Sequence, residues 1–261
     1  MKIKLYQIDA FTDKVFAGNP AAVCPLEKWL PDETMQKIAM ENNLAETAFY
    51  VNENGNYHIR WFTPKVEVDL CGHATLATAY VLFQFENFNG NEISFNSKSG
   101  VLAVTKEGDF LTMDFPTDIL DEVKLFPELT DGFNIKPVKA YKGKTDYMLI
   151  YENEDQVNKL APDMRMLAAL PARGTIVTAP GNKVDFVSRF FAPQINIPED
   201  PVTGSAHTTL IPYWSKVLNK TEMEAIQISH RTGKLKCKYL GDRVKIGGFA
   251  RTYMIGNIEI Y

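Results

Sequence analysis

The sequence predicts an α+β chain built from two tandem, pseudo-symmetric halves, each with strands flanking one central helix. Three observations predict it. Short motifs recur in the same order at a nearly constant offset, each copy contains an apolar run of helical length that opens at a glycine, and the flanking segments alternate as strands do.

The repeat is visible in four places. Arg60-Trp61-Phe62-Thr63-Pro64 recurs as Arg189-Phe190-Phe191-Ala192-Pro193 at an offset of 129. Gly72-His73-Ala74-Thr75 is echoed by Gly204-Ser205-Ala206-His207 at an offset of 132. Ser99-Gly100-Val101-Leu102 matches Thr232-Gly233-Lys234-Leu235, and Gly108-Asp109 matches Gly241-Asp242, both at 133. Turn residues recur in any chain, but they do not by themselves keep order and drift by only a few positions.

Along the chain, Pro31 suits a first helical turn and starts an amphipathic helix to about Asn42, with Met35, Ile38 and Ala39 inward. Glu46 stands at the start of a strand. Glu53-Asn54-Gly55-Asn56 and Glu107-Gly108-Asp109 are turns, and Tyr57 to Phe62 and Val101 to Val104 are strands. The helix after Gly72 carries Leu76, Ala77, Ala79, Tyr80, Val81, Leu82 and Phe83, apolar nearly all round, as a helix wrapped by sheet must be. Its counterpart after Gly204 contains Pro212, which is expected to kink it or end its first segment, with Tyr213 to Leu218 continuing beyond. Pro116, Pro127, Gly132 and Pro137 punctuate a charged stretch that joins the halves. The halves are residues from about 1 to 117 and about 128 to 250, and a crossing of the last strand, about 251 to 261, back to the first half is left open.

A hydrophobic content of 45% over 261 residues is ample for a core, which excludes disorder. The net charge of −4 arises from scattered charges and leaves no concentrated basic surface for nucleic acid, so small-molecule partners are favoured. The N-terminus lacks the apolar region of a signal peptide, with Asp9 and Asp13 interrupting it, and the apolar run Ala74 to Phe85 is too short to span a bilayer; a cytoplasmic protein without membrane contact is expected. Cys24, Cys71 and Cys237 are too widely spaced for a disulfide framework or zinc cluster. His58, His73, His207 and His230 also lack metal-ligand spacing, so no metal is expected.

The chemistry concentrates at the two helix starts. In a two-fold repeat Gly72 and Gly204 are expected to face one cleft, where unpaired helix-end N–H groups suit a substrate carboxylate and glycine lets it come close. Glu46 is a lone charge in Asn43-Leu44-Ala45-Glu46-Thr47-Ala48-Phe49; desolvation there favours acid–base work, whereas an exposed loop position would give it no role. His73 is placed to donate to or protonate a ligand, and Asp200 to orient an amino or hydroxyl group; their structural alternatives are a helix-end hydrogen bond and a turn before Pro201. Ser205 suits both a helix cap and a ligand donor. Cys71 is either a base or nucleophile or a small buried thiol.

Ile8-Asp9-Ala10-Phe11 with Phe16-Ala17-Gly18-Asn19-Pro20, then Asn43 to Thr47, Leu70-Cys71-Gly72-His73-Ala74-Thr75, Glu199 to His207 and Gly241 to Gly248 together resemble the phenazine-biosynthesis PhzF-like isomerase/epimerase family. The resemblance implies the diaminopimelate-epimerase-like fold, two barrel-like halves each around a helix. It also implies no organic cofactor and no metal, commonly a homodimer, and a carboxylate-bearing small-molecule substrate. By the same resemblance Glu46 is the proton-shuttling acid/base, His73, Asp200 and Ser205 match substrate-contacting positions, and Gly72 and Gly204 supply backbone N–H groups. The family's characterised reaction isomerises a dihydro-hydroxyanthranilate, a substrate that similar sequences do not all share. Related racemases use one cysteine per half; Cys71 matches the first, while the second half carries Asp200-Pro201 there. The alternatives are an amino-acid epimerase or racemase using Cys71, and a non-catalytic ligand-binding protein.

Overall fold

The computed structural model describes residues 1–260. Packing divides them into two units, one formed by Met1–Asp114 with residues 247–260, the other by Phe115–Ile246.

In chain order the elements are β1 (Lys2–Ala10), β2 (Asn19–Leu26), α1 (Asp32–Asn42), β3 (Glu46–Glu53), β4 (Asn56–Phe62), β5 (Glu67–Val68), α2 (Gly72–Phe85), β6 (Glu92–Ser97), β7 (Gly100–Glu107) and β8 (Phe110–Pro116). There follow β9 (Asp121–Val123), α3 (Pro127–Thr130), β10 (Lys139–Lys142), β11 (Asp146–Ile150), α4 (Glu154–Asn158), α5 (Met164–Ala168), β12 (Gly174–Pro180), β13 (Phe186–Ala192), β14 (Ile197–Asp200), α6 (Gly204–Leu218), β15 (Glu222–Gln227), β16 (Gly233–Tyr239) and β17 (Arg243–Gly248). β18 (Ala250–Glu259) closes the described chain.

Strand pairing repeats the sequence motifs at the level of topology. In the first unit β18, β1 and β2 pair antiparallel in turn, β2 runs parallel to β3, β3 antiparallel to β4, β4 parallel to β6, and β6 antiparallel to β7. In the second unit β9, β10, β11, β12, β13, β15 and β16 pair with the same succession of senses. Each parallel pair needs a crossover. The first is supplied by α1 in one unit and by α4 and α5 in the other; the second is supplied by β5 with α2, and by β14 with α6.

α2 has buried residues on every side and packs against β1, β2, β3 and β18. Its lack of a polar face follows from being surrounded. On the other face of this sheet, Ile3, Leu5, Ala22, Cys24, Phe49 and Phe62 meet Met35, Ile38 and Ala39 of α1. α1 starts after Pro31, as its sequence predicts, and ends where Asn43 turns left-handed at φ 48°, a conformation asparagine tolerates. In the second unit Leu149, Tyr151, Val177, Val187 and Phe191 pack on Leu129, Val157 and Leu167 of α3, α4 and α5. No helix among the described residues is long and apolar enough to cross a membrane.

Of the two outcomes expected at Pro212, a kink or an end to the first segment, the second does not occur, since the second central helix runs as one element from Gly204 to Leu218. Proline removes the N–H that would bond the carbonyl four residues back, Thr208 O. The backbone N–H of Asp118 donates to that oxygen instead, at 3.2 Å, so the loss is made good from outside the helix.

Candidate active site

In the first unit three adjacent elements converge on one buried cluster. β2 begins at Asn19, β3 begins at Glu46, and the parallel register pairs Ala21 with Glu46. α2 then brings Cys71 as its N-cap and His73 in its first turn. Asn42 Nδ2 donates to Thr47 Oγ1 at 3.1 Å and fixes the entry to β3. Ahead of β2, Phe16 and Gly18 both have positive φ, and a Cβ at Gly18 would stand 2.1 Å from Ala10 O, so only glycine lets the chain fold back tightly enough there.

Glu46 and His73 are buried, with 9% and 4% of their surface exposed. Glu46 Oε2 lies 3.3 Å from His73 Nε2, close but bent away from a linear hydrogen bond. On the other edge of the ring, Nδ1 lies 3.2 Å from Asn19 Nδ2 and 3.6 Å from Cys71 Sγ. Burial pushes the imidazole pKa down to about 3, so the ring is neutral at physiological pH. The start of α2 has no side-chain cap and no acidic residue in its first turn, which leaves its N–H groups and positive end directed at this cluster. Thr75 Oγ1 donates to Cys71 O at 2.5 Å and holds the N-cap carbonyl.

The second unit carries the other expected residues. Asp200 is buried and ends β14; Thr203 Oγ1 donates to its Oδ2 at 2.5 Å, and the fully buried Gln227 donates to Asp200 O at 2.7 Å while accepting from Thr203 N at 2.9 Å. Gln227 thus locks the turn that delivers Asp200. Gly204 is the first residue of α6, again with no side-chain cap and no acidic first turn. Ser205 is not the cap: Thr203 holds that position and Ser205 is the second helical residue. His207 Nδ1 lies 2.8 Å from Thr203 O, repeating in α6 the bond that Thr75 makes in α2. Burial pushes the His207 pKa down to about 4.

Ser205 Oγ accepts from Arg173 Nη2 at 3.0 Å, and Arg173 is paired through Nε (3.0 Å) and Nη2 with the buried carboxylate of Asp146. Arg173, Asp146 and Gln227 were not expected from the sequence, because nothing in Ala172-Arg173-Gly174 marks the arginine and its contact with Ser205 spans 32 residues. Asn19 lies in Gly18-Asn19-Pro20, whose turn residues are its only local signal.

Glu46, Cys71 and His73 offer ligand atoms within 4.8 Å of one another, a set that the sequence spacing hides. A metal held by all three would need one imidazole nitrogen to face both partners. Instead Sγ lies beside Nδ1 and the carboxylate beside Nε2, on different edges of the ring, an arrangement better suited to passing or polarising protons.

Comparison with known proteins places this geometry. The phenazine biosynthesis-like protein family (PhzC-PhzF) matches residues 8–256. An uncharacterized isomerase of Pseudomonas aeruginosa is 48% identical over 260 residues, covering 100% of both chains. A crystal structure of a PhzF-family protein from Enterococcus faecalis is 49% identical over 100% of both chains, with a TM-score of 0.97. A hydroxyproline epimerase from Agrobacterium vitis, 10% identical, superposes at a TM-score of 0.63 over 98% of this chain and 92% of that one, a likeness of fold. The α+β fold is thus of the diaminopimelate-epimerase-like kind, and the chain belongs to the phenazine biosynthesis-like (PhzC-PhzF) family.

Proposed function

We propose that this chain is an isomerase that shifts a proton on a small carboxylate-bearing metabolite, with Glu46 as the acid/base. The observation that carries the reading is the buried pair of Glu46 Oε2 and His73 Nε2, 3.3 Å apart at the uncapped start of α2. In the proposed reaction Glu46 takes a proton from a carbon conjugated with the substrate's carboxylate. The C–H electron pair moves into that conjugated system, and Glu46 returns the proton to a different carbon. Protons and electrons balance within substrate and carboxyl group, so the step calls for neither an organic cofactor nor a metal. Helix-end N–H groups at Gly72, with the His73 ring, are suited to hold the negative charge that develops. Asp200, Gly204 and Ser205 are proposed as substrate contacts, a carboxylate, a backbone N–H and a hydroxyl with complementary hydrogen-bonding roles.

A second reading, an epimerase using Cys71, is favoured by the 3.6 Å contact of Sγ with His73 Nδ1. Two-base epimerisation needs a second base beside Cys71, a role that Glu46 or Asp200 could fill, whereas Thr203 and Gly174, which hold the N-cap and strand-start places in the second unit, cannot act as bases.

The test is incubation in heavy water with a panel of small cyclic and acyclic carboxylates, including a dihydro-hydroxyanthranilate, read by NMR and mass. Deuterium entering at least one carbon-bound position is the expected result. No exchange across the panel would favour a ligand-binding protein without turnover.

A further inference from the structure

We propose that Asn19 is a positioning residue that holds His73 as the Nε2–H tautomer, so that the imidazole presents a proton donor to Glu46 and an acceptor edge to Cys71. The inference rests on the reading of Glu46 as the acid/base but concerns a different residue and a different observable.

A neutral imidazole carries one proton, and which nitrogen holds it is set by the partners of the other. His73 is neutral because it is buried, so the choice is real. At Nδ1 stands the amide Nδ2 of Asn19, at 3.2 Å, a group with hydrogens to give and no lone pair to offer. Asn19 is itself completely buried and sits at the first residue of β2, where its backbone pairs with Ala10 of β1. The second neighbour of Nδ1 is the Cys71 thiol, at 3.6 Å, also a donor when protonated. At Nε2 stands the Glu46 carboxylate, which in its ionised form only accepts. Donors at one edge and an acceptor at the other select the same tautomer.

Two consequences follow for the proposed reaction. With Nε2 as the protonated nitrogen, the ring turns a donor toward the Glu46 carboxylate 3.3 Å away, the group proposed as the base. The occupied Nδ1 lone pair is also the one that a Cys71 thiol would need to surrender its proton to, so Asn19 competes with formation of a thiolate–imidazolium pair.

The experiment uses the full-length protein, without substrate, labelled with nitrogen-15 at histidine. Long-range proton–nitrogen correlation at pH 7.5 reads each ring, with His73 identified by its loss in His73→Gln. The expected spectrum has a protonated, pyrrole-type Nε2 and an unprotonated Nδ1 for His73. Asn19→Asp keeps the size but replaces the donor with an acceptor, and is expected to move a proton onto Nδ1. Asn19→Ala is expected to lose the tautomer's exclusivity and to slow deuterium exchange into a turned-over substrate through kcat more than KM. A wild-type His73 protonated at Nδ1, or an unchanged ring in both Asn19 variants, would overturn the proposal. Should Asn19→Asp fail to fold, the wild-type spectrum and Asn19→Ala still decide. Because the ring is read without turnover, failure of the tautomer assignment is distinguishable from failure of Glu46 as the base.

Discussion

Arg173 donates to Ser205 in the second unit at the place where Glu46 meets His73 in the first. By strand register Gly174 is the counterpart of Glu46, since each opens the strand that pairs parallel with its upstream neighbour, Asp146 opposite Gly174 and Ala21 opposite Glu46. Ser205 and His73 are each the second residue of the central helix. One scaffold therefore carries a carboxylate–imidazole pair in one copy and a guanidinium–hydroxyl pair in the other. A guanidinium offers only donors, so Ser205 must accept from it and has its own hydrogen left for another partner, which suits the substrate contact proposed for it.

Asp146 is what holds Arg173 in that pose, and Asp146→Asn is predicted to lower stability by about 1–3 kcal/mol, because the buried carboxylate's charge-assisted bonds to a part-exposed guanidinium are lost. Urea denaturation should show a lower midpoint at unchanged slope. A midpoint equal to that of the parent would mean that Arg173 is held by something else.

The second unit has no room for a side chain where the first carries its carboxylate. A Cβ on Gly174 would stand 2.5 Å from Phe190 Cζ and 2.8 Å from the backbone oxygen of Phe191. Gly174→Ala is predicted to destabilise by about 1–3 kcal/mol through overpacking, seen as a fall in thermal midpoint. An unchanged midpoint would show that this volume is free and that a second base is sterically possible.

Acid should weaken the fold in two steps that begin at different pH. His73 and His207 are held neutral by burial, with pKa values pushed down to about 3 and about 4. The unfolded chain therefore takes up protons first, from about pH 6.5 downward. Their contribution is complete above that pH and is lost as pH falls toward the folded values. Glu67 is held down to about 2 by its hydrogen bonds from Arg60, so its contribution is present above the ordinary glutamate value of about 4.3 and is lost only below it. Thermal midpoints of the parent should start to fall near pH 6.5. His207→Gln, which retains a donor for Thr203 O, should fall less steeply between about pH 6.5 and 4.5; an equal slope would remove His207 from this explanation.

The parts of this architecture legible in the sequence are those written in local pattern. Glycine and proline mark equivalent turns in both copies, the unbroken apolar run after Gly72 marks a helix enclosed by sheet, and Met35, Ile38 and Ala39 mark the inward face of α1. The illegible parts depend on contacts made by distant segments. Pro212 is tolerated because Asp118, far away in sequence, takes the orphaned carbonyl. Ser205 has the chemistry of a cap, but the helix starts a residue earlier and a partner 32 residues away uses its hydroxyl. Asn19 was visible as part of a motif, yet its bond to a ring 54 residues on exists only because β2 lies beside α2.

In the proposed reaction Glu46, and not Cys71, moves the proton. The most direct measurement compares solvent-deuterium incorporation by the parent, Glu46→Gln and Cys71→Ser with any carboxylate that exchanges. Glutamine keeps the size and hydrogen-bonding capacity of glutamate but cannot accept and return a proton, so its rate should fall by about 10²- to 10⁴-fold. Serine keeps the shape of cysteine without a thiol's acidity, and that variant should retain most of the parent's rate. Loss of exchange in Cys71→Ser with exchange preserved in Glu46→Gln would contradict the assignment and make the thiol the base.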